Sequence, residues 1–345
     1  MPPITAMLHR LNPWHQKGTL TISAGVPPPQ ITTRTASILL VLYALVYFLP
    51  FYASKTTRPS VTLSRDAPSV IRARVRSVII SCLLCGAATA GILAKTANAS
   101  VFDVLHLTGI WPAAVLDSSR ALFLTALLFA GPLFSYFIVD SGWREWVRLE
   151  PFHELWEEWP AWRNIVAGPV TEELLFRSAS VPLMLLARAS LSQTIFLSPV
   201  IFGLAHVHHF YEFRLTNPQV PATAAVLRSL FQLAYTTLFG AYATFLFVRS
   251  GSLFAVCAVH AFCNCMGLPQ LWGRVTPARP SVRERLLRGQ SGEGGERPPS
   301  VLWTVAYYVL LIAGSVAWYK GLWVLTESEN ALVPAAAWDP SGSKA

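Results

Sequence analysis

Within residues 164–187 the chain reads Gly168-Pro169-Val170-Thr171-Glu172-Glu173-Leu174-Leu175-Phe176-Arg177, and a few residues on Val181-Pro182-Leu183-Met184-Leu185-Leu186. The length and apolar flanks are those of a membrane-crossing helix, yet the segment carries two carboxylates and a guanidinium. Each such group near the middle of a membrane helix costs about 2.5–3.5 kcal/mol on insertion scales, so it needs a partner or a wet cavity. Glu173 and Arg177 are four residues apart, which places them on one helix face in the favourable order for an ion pair. Glu172 points about 100° away around the same helix and is left without that partner. A buried charge cluster that merely positions helices would account for these three residues taken alone. The rest of the chain decides between that account and a functional site.

The 345 residues are 53% hydrophobic and 13% charged, with a mean hydropathy of +0.45, whereas a soluble domain carries about 25% charge. A soluble globular protein is excluded on that ground, and 12 Trp, 19 Phe and 10 Tyr in long apolar runs exclude an intrinsically disordered chain. The net charge of +9 does not make a nucleic-acid binder, because the basic residues punctuate apolar runs instead of forming a patch on a soluble surface. Stretches of about 17–25 mostly apolar residues fall at 36–53, 77–97, 120–139, 164–187, 192–208, 222–248, 252–268 and 301–323. The expected architecture is an all-α polytopic membrane protein of about eight transmembrane helices around a conical, cytosol-facing cavity. Residues 1–35 are a polar tail with no apolar signal-peptide core, and 36–323 a multi-span domain. Within it lies an Arg-, Pro- and Gly-rich loop at about 270–300, and 324–345 are a C-terminal tail.

Positive loops are retained in the cytosol. Lys55, Arg58, Arg65, Arg72, Arg74 and Arg76 precede the second segment, and Arg274, Arg279, Arg283, Arg285, Arg288 and Arg297 precede the last. With Arg144, Arg148, Arg163 and Arg214 they make sixteen on one side, against Arg10, Lys17, Arg34, Arg188, Arg249 and Lys344 on the other. All five cysteines, Cys82, Cys85, Cys257, Cys263 and Cys265, lie in apolar segments, so no disulfide framework is expected.

Two further segments carry polar groups. Phe202-Gly203-Leu204-Ala205-His206-Val207-His208-His209 closes the fifth, and His260-Ala261-Phe262-Cys263-Asn264 lies in the seventh, with His260 and Asn264 on one face. The loop assignment puts the start of the fourth segment and the ends of the fifth and seventh on the cytosolic side. At about 1.5 Å per residue, Glu172, His206, His260 and Asn264 then reach compatible depths and can meet in one cavity. Hydrolysis of a peptide bond needs an activated water and stabilisation of a tetrahedral oxyanion. Glu172 suits a general base, His206 a partner sharing the water, and His260 and Asn264 oxyanion donors.

Together the EExxxR of Glu172, Glu173 and Arg177, the FxxxH of Phe202 and His206, and the HxxxN of His260 and Asn264 resemble the type II CAAX prenyl proteases. This is the Ras-converting-enzyme branch of the CPBP family of intramembrane proteases. Arg163-Asn164, the run Gln232 to Tyr242 and His260 to Pro269 strengthen the likeness, which covers about 160–270. The resemblance implies an endoplasmic-reticulum membrane protease, of glutamate type and without a cofactor. It removes the last three residues of a C-terminal CAAX sequence once the cysteine is prenylated. The implied partners are prenylated CAAX-protein C-termini, such as those of Ras-like GTPases, lipidated peptides, and membrane lipid. The implied catalytic residues are Glu172, His206, His260 and Asn264, with Glu173 and Arg177 in support.

Other readings use the same residues. Glu172, His206 and His260 could supply three zinc ligands with one position open for water, although His153-Glu154 is followed by Leu155-Trp156-Glu157 and lacks the second His of HExxH. A transporter carrying protons on intramembrane carboxylates would show inverted repeats or paired broken helices, and neither is visible. A scaffold without activity has no need of a base opposite two donors.

Overall fold

The computed structural model describes residues 30–276 and 300–338, and every regular element among them is helical. Most of the polar tail, the greater part of the loop at 270–300 and residues 339–345 lie outside the described residues. Helices that bear on the site are numbered in chain order: α1 Thr33–Phe48, α2 Pro68–Thr96, α3 Val115–Leu128, α4 Gly168–Glu173, α5 Ser198–Ala205, α6 Ala222–Ser250, α7 Leu253–Met266 and α8 Val301–Gly321. α1, prolonged to Tyr52 by a 3₁₀ turn, α2, α6 and α8 are long and apolar enough to cross a bilayer. The helix pair Val115–Leu128 and Ala130–Val139 joins them if its 82° bend is counted within one span. The other expected segments are helical where the hydropathy put them, but 164–187 and 192–208 are interrupted by π-helical turns and α7 has only 14 residues.

The outer faces are those of a helix bundle in lipid: Ile38, Val41, Leu42 and Val46 of α1, and Leu302, Val305, Val309 and Ile312 of α8, are exposed. α2 starts at Pro68, nine residues before the hydropathy boundary at 77. Proline suits a first helical turn because it gives up only an amide that has no intrahelical partner there. At about 1.5 Å per residue, a helix of 29 residues outruns a hydrocarbon core of about 30 Å. Arg72, Arg74 and Arg76, expected in a loop, therefore stand on the first turns of α2. Hydropathy reports the membrane edge, and the helix continues past it.

The core forms where α1 and α2 clasp the broken fourth segment. Leu40, Cys85, Leu175, Phe176, Leu183, Met184 and Phe202 are buried together there. π-helical turns at Arg163–Ala167 and Leu174–Ala179 flank α4, and such turns loosen the regular ladder so that neighbours can reach main-chain carbonyls. The Cys82 thiol donates to the Thr171 carbonyl at 3.2 Å, and the Thr89 hydroxyl to the Ala179 carbonyl at 2.8 Å. The Tyr47 and Thr171 hydroxyls are 3.0 Å apart. All five cysteines are free thiols, as expected.

α5 packs along α6, and α7 lies between α6 and α3. The α5–α6 approach depends on two glycines. A Cβ on Gly203 would collide with the Thr237 hydroxyl, and one on Gly240 would stand 2.8 Å from Pro199 Cβ. Residues 324–338 of the expected tail pack back onto the bundle. The Leu332 amide donates to the Val248 carbonyl at 2.8 Å, and Leu332 and Val333 are buried.

Candidate active site

Glu173 and Arg177 are fully buried, 0% and 1% exposed. Arg177 Nη1 donates to Glu173 Oε1 at 3.0 Å, the contact expected from their spacing. Arg177 Nη2 donates to the Gly240 carbonyl at 3.2 Å. Its guanidinium lies over the Phe202 ring at 4.7 Å and faces Phe239 at 5.9 Å, a setting in which an aromatic face offsets part of the lost hydration of the cation. Glu173 has a second partner that the spacing did not indicate: His260 Nδ1 is 2.6 Å from the same Oε1. Glu173 therefore ties α4 to α7, while Arg177 ties the following turn to α6.

That bond orients His260. With Nδ1–H committed to a carboxylate, Nε2 is the atom left facing outward, and it stands 3.8 Å from Glu172 Oε2. Glu172, whose side chain is 22% exposed, is the carboxylate of the pair that reaches open space. It lines a cavity of about 170 Å³ together with Asn164, Gly168, His206, Asn264 and others. His206 Nδ1 is 2.8 Å from the Phe202 carbonyl, four residues back. A carbonyl can only accept, so Nδ1 carries the hydrogen, and in the neutral ring Nε2 is an acceptor. Asn264 Nδ2 donates to the Asn164 carbonyl at 2.8 Å, which ties the end of α7 to the turn before α4; its second hydrogen and its Oδ1 have no partner among the described residues.

Glu172, His206 and Asn264 thus share one cavity, as expected from their depths, while His260 lies behind Glu172 and does not line it. The cavity is completed by residues that the motifs did not bring forward, Tyr47, Ile71, Val75 and Val78 on its wall and Arg65 and Arg74 at its rim, together with Arg163 of the Arg163-Asn164 pair. Outside the cavity lining, Glu212 is paired with Arg74 at 2.8 Å, Arg65 at 3.5 Å and His209 at 3.5 Å. Burial pushes the Glu212 carboxyl up, and the opposing pull of His209, Arg74 and Arg65 wins, holding it well below the usual carboxylate range. Among the described residues no three His, Cys, Asp or Glu side chains are grouped so as to hold a metal ion.

Comparison with known proteins bears on this geometry. A family model described as type II CAAX prenyl endopeptidase, Rce1-like, matches residues 154–266. The chain is 34% identical over 289 residues to the probable CAAX prenyl protease 2 of Schizosaccharomyces pombe, across 84% of this chain and 92% of that protein. It belongs to the type II CAAX prenyl endopeptidase family. Identity to CAAX prenyl protease 2 of Saccharomyces cerevisiae is 29% over 306 residues, across 82% of this chain and 93% of that one. A shorter match, 50% over 111 residues, links it to CAAX prenyl protease 2 of Arabidopsis thaliana, across 32% of this chain and 35% of that one. No solved structure matches. The chain is accordingly a CAAX endopeptidase with apolar membrane-spanning helices. The matched stretch contains Glu172, Glu173, Arg177, His206, His260 and Asn264, whereas Arg65 and Arg74 of the rim lie outside it.

Proposed function

We propose that this peptidase releases the C-terminal aaX tripeptide from prenylated CAAX proteins, using a water activated by Glu172. The observation that carries the proposal is the division of labour between two adjacent carboxylates. Glu173 is fully buried and spent on Arg177 and His260, while Glu172 opens into a cavity shared with His206 and Asn264. In this reading a water lies between Glu172 and His206 Nε2. Glu172 takes one of its protons as the oxygen attacks the carbonyl carbon of the prenylated cysteine. The oxyanion accepts a hydrogen bond from the free Nδ2 hydrogen of Asn264, while His260, set behind the cavity wall, faces Glu172 through Nε2 and steadies its carboxylate. Collapse of the intermediate breaks the C–N bond, and the proton held by Glu172 passes to the leaving amine of the tripeptide.

Glu173 and Arg177 act at one remove, holding α4 and His260 in place. A zinc-dependent version of the same hydrolysis is less well supported, since Glu172, His206 and His260 form no three-ligand group among the described residues. We place the enzyme in the endoplasmic-reticulum membrane with its cavity open to the cytosol. The sidedness is supported by Arg65, Arg74 and Arg163, which are counted on the positive side of the chain and line the cavity. Its substrates are then the C-termini of prenylated Ras-like GTPases and similar lipidated peptides, presented from the membrane lipid.

The test incubates membranes holding the protein with a prenylated CAAX peptide and with its unprenylated counterpart. Release of the intact tripeptide from the first alone is expected. Equal cleavage of both, or stepwise loss of single residues, would overturn the proposal.

A further inference from the structure

The cavity has a second, basic end. Arg65 reaches it from the loop before α2, Arg74 from the first turns of α2, and Arg163 from the π-helical turn before α4. Arg74 is spent: Nη2 donates to Glu212 Oε1 at 2.8 Å and Nε to the Thr57 carbonyl at 2.9 Å. Arg163 donates from Nη1 to Asp66 Oδ1 at 2.8 Å and to the Arg65 carbonyl at 3.3 Å, and from Nε to Asn164 Oδ1 at 3.0 Å. Its Nη2 has no partner among the described residues. Among the described residues Arg65 makes only long contacts with carboxylates, 3.5 Å to Glu212 Oε2 and 3.9 Å to Asp66 Oδ1. Three guanidiniums therefore meet two carboxylates, Asp66 and Glu212, and the rim carries one positive charge in excess. Phe51, Ile71, Val75 and Val78 line the same cavity and give it an apolar wall.

We infer that Arg163 and Arg65 bind the terminal α-carboxylate of the leaving tripeptide, so that the enzyme recognises the end of its substrate chain as a charge. The inference rests on the tripeptide release proposed above. Its warrant is the match of chemistry and length. A guanidinium fork pairs with a carboxylate through two parallel N–H···O bonds, and Arg163 and Arg65 are the rim cations with donors to spare. Arg163 precedes Glu172 by nine residues, about 13 Å along a helix. Three extended residues span roughly 10 Å, so a carbonyl held at Glu172 sends its third residue to the arginines. The apolar wall is suited to the two aliphatic side chains on the way. Asp66, on the exposed loop, holds Arg163 in place while the site is empty.

The test compares kcat/KM for two prenylated peptides of one sequence, one ending in a free acid and the other in a carboxamide. Loss of a charge-assisted pair predicts a preference of the wild type for the acid of about 10- to 100-fold, mostly in KM. In Arg163→Gln and in Arg65→Gln that ratio falls toward one, and Arg163→Lys, which keeps the charge and loses the fork, lies between. Arg65→Gln serves if Arg163→Gln fails to accumulate. Equal cleavage of acid and amide by the wild type would overturn the carboxylate site while leaving tripeptide release intact. So would an undiminished acid preference in both glutamine variants. Failure of the wild type to cleave either peptide would instead overturn the proposed function beneath it.

Discussion

Replacing Glu173 with alanine removes the one carboxylate that Arg177 and His260 share. Both partners are buried, Arg177 at 1% exposure, and neither has solvent to turn to. Exposed ion pairs contribute about 0–1 kcal/mol, but removing one partner of a buried pair leaves an uncompensated charge and costs about 3–5 kcal/mol. That is a large fraction of the roughly 5–15 kcal/mol by which native domains are stable. At about 1.4 °C per kcal/mol for a chain of this size, Glu173→Ala is expected to unfold roughly 4–7 °C below the wild type. Arg177→Ala, which strands Glu173 beside His260 alone, is expected to behave similarly. The double variant Glu173→Ala/Arg177→Ala removes both charges and is expected to cost less than the sum of the two singles by at least about 1 kcal/mol. The assay is thermal unfolding of detergent-purified protein with yield and tripeptide release measured on the same preparations. Wild-type melting and activity in both single variants, or strict additivity in the double, would refute the view that this pair holds the site together.

Three further outcomes follow from other parts of the molecule. Gly240→Ala would push a methyl group to 2.8 Å from Pro199 Cβ and 3.3 Å from Arg177 Nη2, so we expect a loss of about 1–3 kcal/mol in thermal unfolding; an unchanged melting temperature would show that α5 and α6 have room to part. Because Glu212 titrates lower in the folded chain than its ordinary value of 4.5, its stabilising effect is complete above that pH and is lost as pH falls toward the folded value. The melting temperature of the wild type should therefore fall more steeply with acidification below about pH 5 than that of Glu212→Gln, and parallel curves would contradict the pairing. Prolonged dialysis against a strong chelator should leave turnover unchanged; activity lost and then restored by zinc alone would reassign Glu172, His206 and His260 as ligands.

Hydropathy made the helical membrane fold legible because burying backbone in lipid leaves a helical chain few alternatives to satisfying its own hydrogen bonds. It reported the apolar middle of α2 and missed the turns bearing Arg72, Arg74 and Arg76, since charge ends a hydropathy window and does not end a helix. At the bend after Leu128 and the π-helical turns around α4 the sequence carries Gly131-Pro132 and Gly168-Pro169, which permit a kink without fixing its form. These irregularities depend on what the neighbours offer, such as the Cys82 thiol and the Thr89 hydroxyl reaching main-chain carbonyls. Local spacing read the Glu173–Arg177 pair correctly and separated Glu172 from it. The bond from Glu173 to His260 spans 87 positions and was invisible to a rule that compares residues four apart. The same holds for Arg65 and Arg74, which reach the cavity only through the packing of α2 beside the broken segment.

The central claim, that Glu172 activates the hydrolytic water, is tested most directly by tripeptide release from a prenylated CAAX peptide by purified Glu172→Gln. The substitution keeps the shape of the side chain, and Glu172 is partly exposed and outside the buried pair, so the variant should melt with the wild type. Removal of a general base predicts a fall in kcat of about 10²–10⁴-fold with a KM near that of the wild type. Turnover by a folded Glu172→Gln at the wild-type rate would contradict the account.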